Sequence, residues 1–311
     1  MRQIPESFFE KVLYSLKLES WPKVIVPYLF SLALVLYSID YFLFGGAVLG
    51  LLYVVFLVLY IVLMNDYADA EIDRIKRAMF PENCSPKTIP DNILSEYQVL
   101  GGGLFSIFML LCLGVISYFF FYSTSLSGIL LSIAVFWMYS LHPFRLNYRG
   151  GGEILEAIGI SILIPFTIFQ FFGSSLQKSD FIWLIPSFFL SFSSAIASGL
   201  SDESSDKIGG KRTIVTVFGL KNALRLLVCS YSLGIGIFAG VLLLKVTWFN
   251  FGASVILVLS GIFTTYKLFG FSSQISTNSF AEISLLKSFL HKGIWYTTLF
   301  VALLLLGLKA S

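Results

Sequence analysis

The apolar stretches of this sequence constrain its fold more than any other feature, because they recur along the whole chain. A helix needs about 20 mostly apolar residues to cross the roughly 30 Å hydrocarbon core of a bilayer. Stretches near that length lie at residues 22–40, 41–64, 99–122, 124–141, 154–173, 181–201, 223–244, 247–266 and 293–308. Of the 311 residues, 57% are hydrophobic and only 13% are charged. The sequence therefore predicts an all-α polytopic membrane protein with nine transmembrane helices.

The distribution of lysine and arginine predicts how these helices are oriented. Short cytoplasmic loops of membrane proteins are enriched in basic residues. If the N-terminus is cytoplasmic, the nine spans leave only Lys178, Lys245 and Lys309 of the 21 basic residues on the external side. We therefore expect a multi-pass protein of the cell (inner) membrane, with its N-terminus and its functional face in the cytoplasm.

The loops between the spans are too short to fold into separate domains. Residues 1–21 are expected to form an amphipathic helix in the membrane interface, since Phe8, Phe9 and Leu13 recur at helical spacing. This segment mixes charges with apolar residues and lacks the uninterrupted apolar run of a signal peptide. We expect residues 22–308 to form a single transmembrane domain.

A weak internal sequence similarity predicts that this domain contains two repeats. The segments DAEIDR, beginning at Asp69, and DESSDK, beginning at Asp202, share the pattern D-x-x-x-D followed by a basic residue. They follow the second and sixth spans, so both emerge on the same side of the membrane. We expect two four-helix repeats, at about residues 22–145 and 150–270, and an additional ninth helix at 293–308.

Carboxylates collect where the second and sixth spans end, in a chain that is otherwise poor in charge. On a helix, Asp66, Asp69 and Asp73 would share one face, and so would Asp202 and Asp206. A single aspartate there would be an ordinary interfacial charge, but clustered carboxylates repel one another and require a cationic partner. Mg²⁺ binds carboxylate oxygens together with substrate phosphates. The two clusters therefore predict a site for a metal-bridged diphosphate.

Basic side chains near these carboxylates complete the predicted site. Lysine and arginine can hold the outer oxygens of a diphosphate and stabilise it as it leaves. The residues that we assign to this role are Lys87, Arg149, Lys211 and Arg212. Arg145 is instead expected to act as a cytoplasmic anchor.

Both acidic motifs resemble those of the UbiA superfamily of intramembrane prenyltransferases. The first, N-D-x-x-D-x-x-x-D, is present as Asn65, Asp66, Asp69 and Asp73. The second, D-x-x-x-D followed by G-x-R-T, is present as Asp202, Asp206, Gly210, Arg212 and Thr213. The resemblance covers about residues 20–305.

Two further segments refine this resemblance. The stretch YSLHPFRLNYRGGGE, residues 139–153, is similar to the loop after the fourth helix in members that prenylate quinone precursors of the naphthoate type, whereas the first motif looks like the hydroxybenzoate type. Many members carry R-P-[IL]-P-S-G after the first motif. This chain has KTIPDN at residues 87–92 instead, which keeps a basic residue and lacks the glycine.

The resemblance implies Mg²⁺-dependent transfer of a prenyl group from an allylic prenyl diphosphate to a small aromatic acceptor, in quinone or related lipid biosynthesis. It implies that the five motif aspartates bind the metal. Asn65 and Tyr139 become candidates for polarising or shielding the allylic cation, the tyrosine through the negative face of its ring. Water must be excluded from such a site because it would quench the cation.

Other functions remain open at this point. A terpene cyclase of the same fold would use both motifs without an acceptor, and a non-aromatic lipid could replace the aromatic ring. A transporter is a more distant alternative, because transporters place ionisable residues near the membrane midplane. Here the motif carboxylates lie at or just beyond the predicted cytoplasmic ends of the spans, whereas Glu156 lies within one. The net charge of +3 reflects membrane anchoring, and no nucleic-acid partner is expected.

Overall fold

The protein is built from helices and the turns that join them. A computed structural model describes residues 5–81, 84–121, 123–244, 248–274 and 280–310, and no β-strand forms in these ranges. The helices are α1 (Phe8–Leu16), α2 (Pro22–Ser38), α3 (Phe44–Ala68), α4 (Ala70–Met79), α5 (Glu96–Phe121), α6 (Ser125–Ser140), α7 (Leu146–Arg149), α8 (Gly152–Ile158), α9 (Ile164–Phe171), α10 (Phe181–Leu200), α11 (Glu203–Ile208), α12 (Ile214–Leu243), α13 (Trp248–Gln274) and α14 (Phe280–Ala310). A π-helical turn at Gly159–Leu163 joins α8 to α9.

Seven helical segments of the described chain are long and apolar enough to cross a membrane, which makes this an integral membrane protein. They are α3, α5, the joined segment Gly152–Phe171, α10, α12, α13 and α14. Helices α2 and α6 coincide with the first and fourth predicted spans but have only 17 and 16 residues. The count of nine and the cytoplasmic N-terminus therefore remain predictions. Residue 122 of the third predicted span, residue 247 of the eighth and residues 1–4 of the first segment lie outside the described residues.

Helix packing brings the two ends of the chain together, since α2 packs against α14. The two halves show a parallel pattern of neighbours. Helix α3 packs on α5 and α5 on α6, while α10 packs on α12 and α12 on α13. This is the pattern expected of the two predicted repeats, whose boundaries stay a prediction.

The N-terminal helix α1 lies inside the segment predicted to be amphipathic. Ser7 and Glu10 form a reciprocal capping box that fixes its start. Phe8 and Phe9 are exposed, as an interfacial helix would require. Lys17 adopts a left-handed backbone conformation at the end of α1, and the chain axis then bends by 59° before α2.

Both acidic spans break at their motifs, which differs from the continuous helix face expected from the sequence. Helix α3 ends at Ala68 and α4 begins at Ala70, with Asp69 as its N-cap residue. In the same way Asp202 is the N-cap residue of α11. The breaks place these carboxylates at the positive ends of two new short helices, where the macrodipole favours negative charge.

Helices α4 and α11 pack directly against each other, so the two motifs are neighbours in space. The contact depends on Gly209. A Cβ atom at this position would lie 2.4 Å from Ile72 Cγ1 and 2.5 Å from Ile72 Cδ1. The absence of a side chain at Gly209 therefore allows the motifs to approach.

We predict that Gly209→Ala overpacks this contact and lowers stability by about 1–3 kcal/mol. In an Ile72→Ala background, which removes the clashing atoms, the same change should have almost no effect. Thermal unfolding of the four proteins of this double-mutant cycle would measure the coupling. Gly101→Ala is a matched control, because a Cβ atom there meets nothing within 4 Å. Equal losses in both backgrounds would contradict the contact.

Candidate active site

The motif aspartates converge where α4 and α11 meet. Asp66, Asp69, Asp73 and Asp206 are each between 3% and 7% exposed, while Asp202 is half-buried. Carboxylates this deeply buried are stable as anions only when each has a partner. The partners therefore decide what this site can do.

Lysine residues supply those partners. The pairs are Lys17 with Asp66, Lys87 with Asp73, Lys76 with Asp202, and Lys211 with both Asp69 and Asp206. Each motif aspartate thus has a lysine nearby, and three of these four lysines are themselves buried.

Two of the lysines connect one motif to the other. Lys76 extends from α4, just after the first motif, to Asp202 of the second. Lys211 lies 2.6 Å from Asp69 Oδ2 and 3.9 Å from Asp206 Oδ1. Gly210 makes this bridge possible, because its positive φ of 73° turns the chain sharply before Lys211.

The loop at residues 87–92, which lacks the glycine found in many members of the similar family, contacts the first motif. Thr88 Oγ1 donates a 2.6 Å hydrogen bond to Asp66, beside the Lys87 pair with Asp73. Asp91 organises this loop by accepting hydrogen bonds from the Lys87 backbone N–H at 3.0 Å and from Arg77 Nε at 2.7 Å. Asn92 adopts the left-handed conformation often taken by a glycine.

Helix α7 adds an aromatic partner for Asp69. The Tyr148 hydroxyl donates to Asp69 Oδ1 at 2.8 Å. The Arg145 guanidinium lies 3.7 Å from the centroid of the Tyr148 ring and also donates to the carbonyl of Ala68 at the end of α3. Arg145 thus places its positive charge at a helix C-terminus.

Asn65 precedes the first motif aspartate on α3, and Tyr139 lies near the end of α6. The Asn65 side-chain oxygen accepts a 3.2 Å hydrogen bond from Ser140, which follows Tyr139 at the end of α6. The Tyr139 ring packs against the start of α8, where a Cβ atom on Gly152 would lie 3.2 Å from it. Their roles toward an allylic cation remain predictions.

Arg149 and Arg212 are exposed and stand apart from the buried network. Their loops are adjacent, since a Cβ atom on Gly150 would lie 3.8 Å from the Arg212 carbonyl oxygen. The structure therefore brings Lys87 and Lys211 among the carboxylates and leaves the two arginines at the outer edge. Contact of any of the four with phosphate is still a prediction.

The electrostatic environment differs from one carboxyl to the next. Burial and the nearby charges of Asp202 and Asp69 raise the pKa of Asp206 to about 7, although Lys211 opposes this. Burial likewise raises the pKa of Asp73. Burial alone would also raise the pKa of Asp202, but Lys76, Lys287 and Lys87 hold it well below its usual range. Asp206 therefore carries a carboxyl group that exchanges its proton near neutral pH.

The donor chemistry of this site fits a hard divalent cation, because Mg²⁺ prefers carboxylate oxygens. Within the described ranges, however, no three Asp, Glu, His or Cys side chains are arranged to hold one ion. Lysine ammonium groups lie beside the carboxylates instead. A divalent ion would require some of these lysines to leave their aspartates, and the displaced ammonium groups would then be available to phosphate oxygens.

Sequence reasoning missed several members of this network. Lys17, Lys76, Thr88 and Tyr148 were not predicted to be site residues. A weak signal existed for Lys76, which lies three residues after Asp73. No local signal existed for Lys17, because 49 residues separate it from Asp66.

Comparison with known proteins gives a consistent result. The model of the UbiA prenyltransferase family matches residues 24–290. A search among curated protein sequences found no match.

Three solved structures share the fold. A UbiA homolog from Archaeoglobus fulgidus, bound to DMAPP and Mg²⁺, is 15% identical with a TM-score of 0.67, covering 93% of this chain and 99% of that chain. An apo UbiA homolog from Aeropyrum pernix K1 is 16% identical with a TM-score of 0.63, covering 87% and 96%. A digeranylgeranylglyceryl phosphate synthase is 14% identical with a TM-score of 0.59, covering 96% and 99%.

We predict that Lys211→Met lowers the stability of the metal-free protein by about 3–5 kcal/mol, because it leaves two buried carboxylates without their cation. Adding Asp69→Asn to this variant should recover part of the loss. Lys207→Met is the control, since Lys207 pairs with Glu203 in an exposed i,i+4 arrangement that contributes little. Thermal unfolding in nanodiscs is the measurement. Equal effects of the two lysine variants would contradict the bridging role.

Proposed function

Since this chain belongs to the UbiA prenyltransferase family, we propose that it transfers a prenyl group from an allylic prenyl diphosphate to an aromatic acceptor, with Mg²⁺ as cofactor, in quinone or related lipid biosynthesis. Family membership identifies the protein as a prenyltransferase and favours this class over a transporter. The proposals for the acceptor, the cofactor and the pathway rest on the residues of the site and on the resemblance stated above.

One observation carries the proposal: the two acidic motifs lie side by side, although Asp69 and Asp206 belong to distant parts of the sequence. A single Lys211 ammonium group contacts both carboxylates. A diphosphate bridged by metal needs carboxylates from both sides within the reach of one small anion. The proximity of Asp69 and Asp206 to one lysine supports the proposal.

Mg²⁺ is proposed as the cofactor because the site offers hard oxygen donors and because the Archaeoglobus fulgidus homolog was solved with Mg²⁺ and DMAPP. Asp66, Asp69, Asp73, Asp202 and Asp206 are the residues that would hold it. When bound, the metal supplies positive charge that stabilises the leaving diphosphate.

The lysines of the network have a second role in this proposal. Lys87 and Lys211 would contact phosphate oxygens once their carboxylates bind metal, and the exposed Arg149 and Arg212 would attract the diphosphate from the cytoplasm. Loss of diphosphate from the donor leaves an allylic cation, which the electron-rich ring of the acceptor attacks before losing a proton. Asn65, which accepts a hydrogen bond from Ser140, and the neighbouring Tyr139 would face this cation.

Two alternatives share the fold and the motifs. A terpene cyclase would convert the donor without an acceptor, and a lipid prenyltransferase would use a non-aromatic acceptor. Similarity at 14–16% identity shows the fold alone, so the digeranylgeranylglyceryl phosphate synthase match does not favour the lipid reaction. The resemblance of residues 139–153 to quinone-precursor enzymes favours the aromatic acceptor.

We predict that Asp69→Asn and Asp206→Asn each lower Mg²⁺-dependent turnover by about 10²–10³-fold or more, because each removes charge that stabilises the diphosphate. Glu71→Gln and Glu203→Gln are matched controls from the same two segments, and both should stay close to wild type. Diphosphate release from a labelled allylic diphosphate is the measurement. Near-normal rates in both aspartate variants would overturn the metal assignment.

We also predict that the wild-type protein prenylates an aromatic acceptor when it is given a panel of phenolic acids, quinone precursors and lipid acceptors with donors of several lengths. Mass spectrometry of the products separates the candidate reactions. A prenylated ring supports the proposal. A cyclised hydrocarbon formed without acceptor, or a product from the lipid acceptors alone, would replace it.

A further inference from the structure

A groove of about 360 Å³ runs along the outside of the helix bundle, between the consecutive helices α12 and α13. None of the residues assigned above to the metal, the diphosphate or the allylic cation lines this α12–α13 groove. Both helices are long and apolar enough to cross a membrane, so their outer surface would meet lipid. The volume lies within the range of about 300–1,000 Å³ that is typical of small-molecule sites.

The groove stays open because Gly236 has no side chain. A Cβ atom at Gly236 would meet nothing within 4 Å, whereas one at Gly261 on the facing helix would lie 2.7 Å from Ile235 Cγ2. The two helices therefore touch at Gly261 and Ile235, and leave an open strip over Gly236. Exposed apolar side chains of α13 border this strip, among them Ile262 and Phe269.

Basic side chains extend the groove at one end. Lys221, Arg225, Ser232 and Gly236 follow one another at intervals of four, seven and four residues, so they share one face of α12. Arg225 lines a smaller cavity together with Phe269, and Phe269 also lines the groove. Both basic residues are exposed. The apolar groove thus continues into a positively charged end.

This end of the groove has positive charge without an acidic partner. Neither α12 nor α13 contains an aspartate or a glutamate. Within the described ranges, no carboxylate lies within 4.0 Å of Lys221 or Arg225. The φ of 75° at Gly219 interrupts α12, so Lys221 lies in the first turn of the helical segment that follows. The start of a helix also favours an anion.

The length of the groove matches one leaflet of a bilayer. Gly236 follows Arg225 by 11 residues, which is a rise of about 16 Å along a helix. The hydrocarbon core is roughly 30 Å thick, so this rise is about half of it. The basic end of α12 directly follows the second acidic motif, which lies on the side predicted to be cytoplasmic. Anionic lipids of the cytoplasmic leaflet attract basic residues at that depth.

We propose that the α12–α13 groove binds an anionic phospholipid. Lys221 and Arg225 hold the phosphate of its headgroup, and one acyl chain lies over Gly236 beside Ile262 and Phe269. Binding at this site is separate from the reaction proposed above.

Two other occupants fit the groove less well. A prenyl diphosphate also has an anionic head and an apolar tail, but neither helix offers a carboxylate for the metal that accompanies a diphosphate. A second copy of the chain, related by a two-fold axis along the membrane normal, would bring Lys221 and Arg225 close to their own copies. Like charges at that distance repel one another.

The test measures lipid binding to the purified full-length chain in detergent, by native mass spectrometry. The chain is titrated with phosphatidylglycerol and with phosphatidylcholine that has identical acyl chains. Wild type should bind one phosphatidylglycerol about 30-fold more tightly than phosphatidylcholine, the preference expected from two basic residues near the headgroup. Lys221→Gln and Arg225→Gln should each lower the affinity for phosphatidylglycerol about 5-fold, and the double variant should lose the preference.

Lys267→Gln is the matched control for charge. Lys267 is exposed at the same end of α13, but its ammonium group lies over the Phe263 ring, and neither residue lines the groove. This variant should bind phosphatidylglycerol like wild type.

A second pair of variants tests the groove itself. Gly236→Leu fills the strip and should lower the affinity for both lipids by about 10-fold, because the new side chain takes the space of the acyl chain. Gly240→Leu is its control, since Gly240 is equally unobstructed on the same helix and does not line the groove. Thermal unfolding of every variant checks that it is folded.

Four results would overturn the proposal. The first is equal affinity of wild type for the two lipids. The second is an equal loss in Lys267→Gln and Arg225→Gln, which would indicate general surface charge. The third is unchanged lipid binding in Gly236→Leu, with or without a change in oligomeric state. The fourth is displacement of phosphatidylglycerol by a prenyl diphosphate, which would assign the groove to the donor.

Discussion

The pairing of buried aspartates with lysines is the interaction on which the rest of this structure depends. Four of the five motif aspartates are less than one-tenth exposed, and without cations their charges would repel one another at the boundary of the membrane. Lys76 and Lys211 offset these charges across the two motifs, so the same contacts that neutralise the carboxylates also hold the two halves of the site together. Removal of one partner leaves a buried uncompensated charge, which makes the network cooperative.

The helix breaks at Asp69 and Asp202 make this pairing geometrically possible. If α3 and α10 continued straight, their carboxylates would extend from the negative ends of two long spans. The breaks start α4 and α11 instead, so the carboxylates lie in the first turns of new helices. Because Gly209 has no side chain, α4 and α11 then approach closely and the motifs share one site. Both halves of the chain thus have a helix break followed by a short helix that an aspartate begins.

The charged side chains of this site differ in exposure. Arg149 and Arg212 are exposed at the edge, and the lysine and aspartate network is mostly buried. Seven helical segments of the described chain are long and apolar enough to span a membrane. A substrate with a diphosphate head and an apolar tail would suit this arrangement. Its head would meet the charged network, and its tail would lie among the apolar helices.

Local sequence patterns by themselves indicated the helical class, the approximate positions of the long apolar helices and the two acidic motifs, because span length, helical period and motif spacing are local properties. They also indicated Lys87 and Lys211. Only the tertiary structure decided that Lys76 pairs with Asp202, 126 residues away, and that Lys211 pairs with Asp69, 142 residues away. It alone placed Lys17 at Asp66 and left Arg149 and Arg212 outside the buried network. These partners depend on how helices from distant parts of the chain pack and where they break, and no local pattern encodes that geometry.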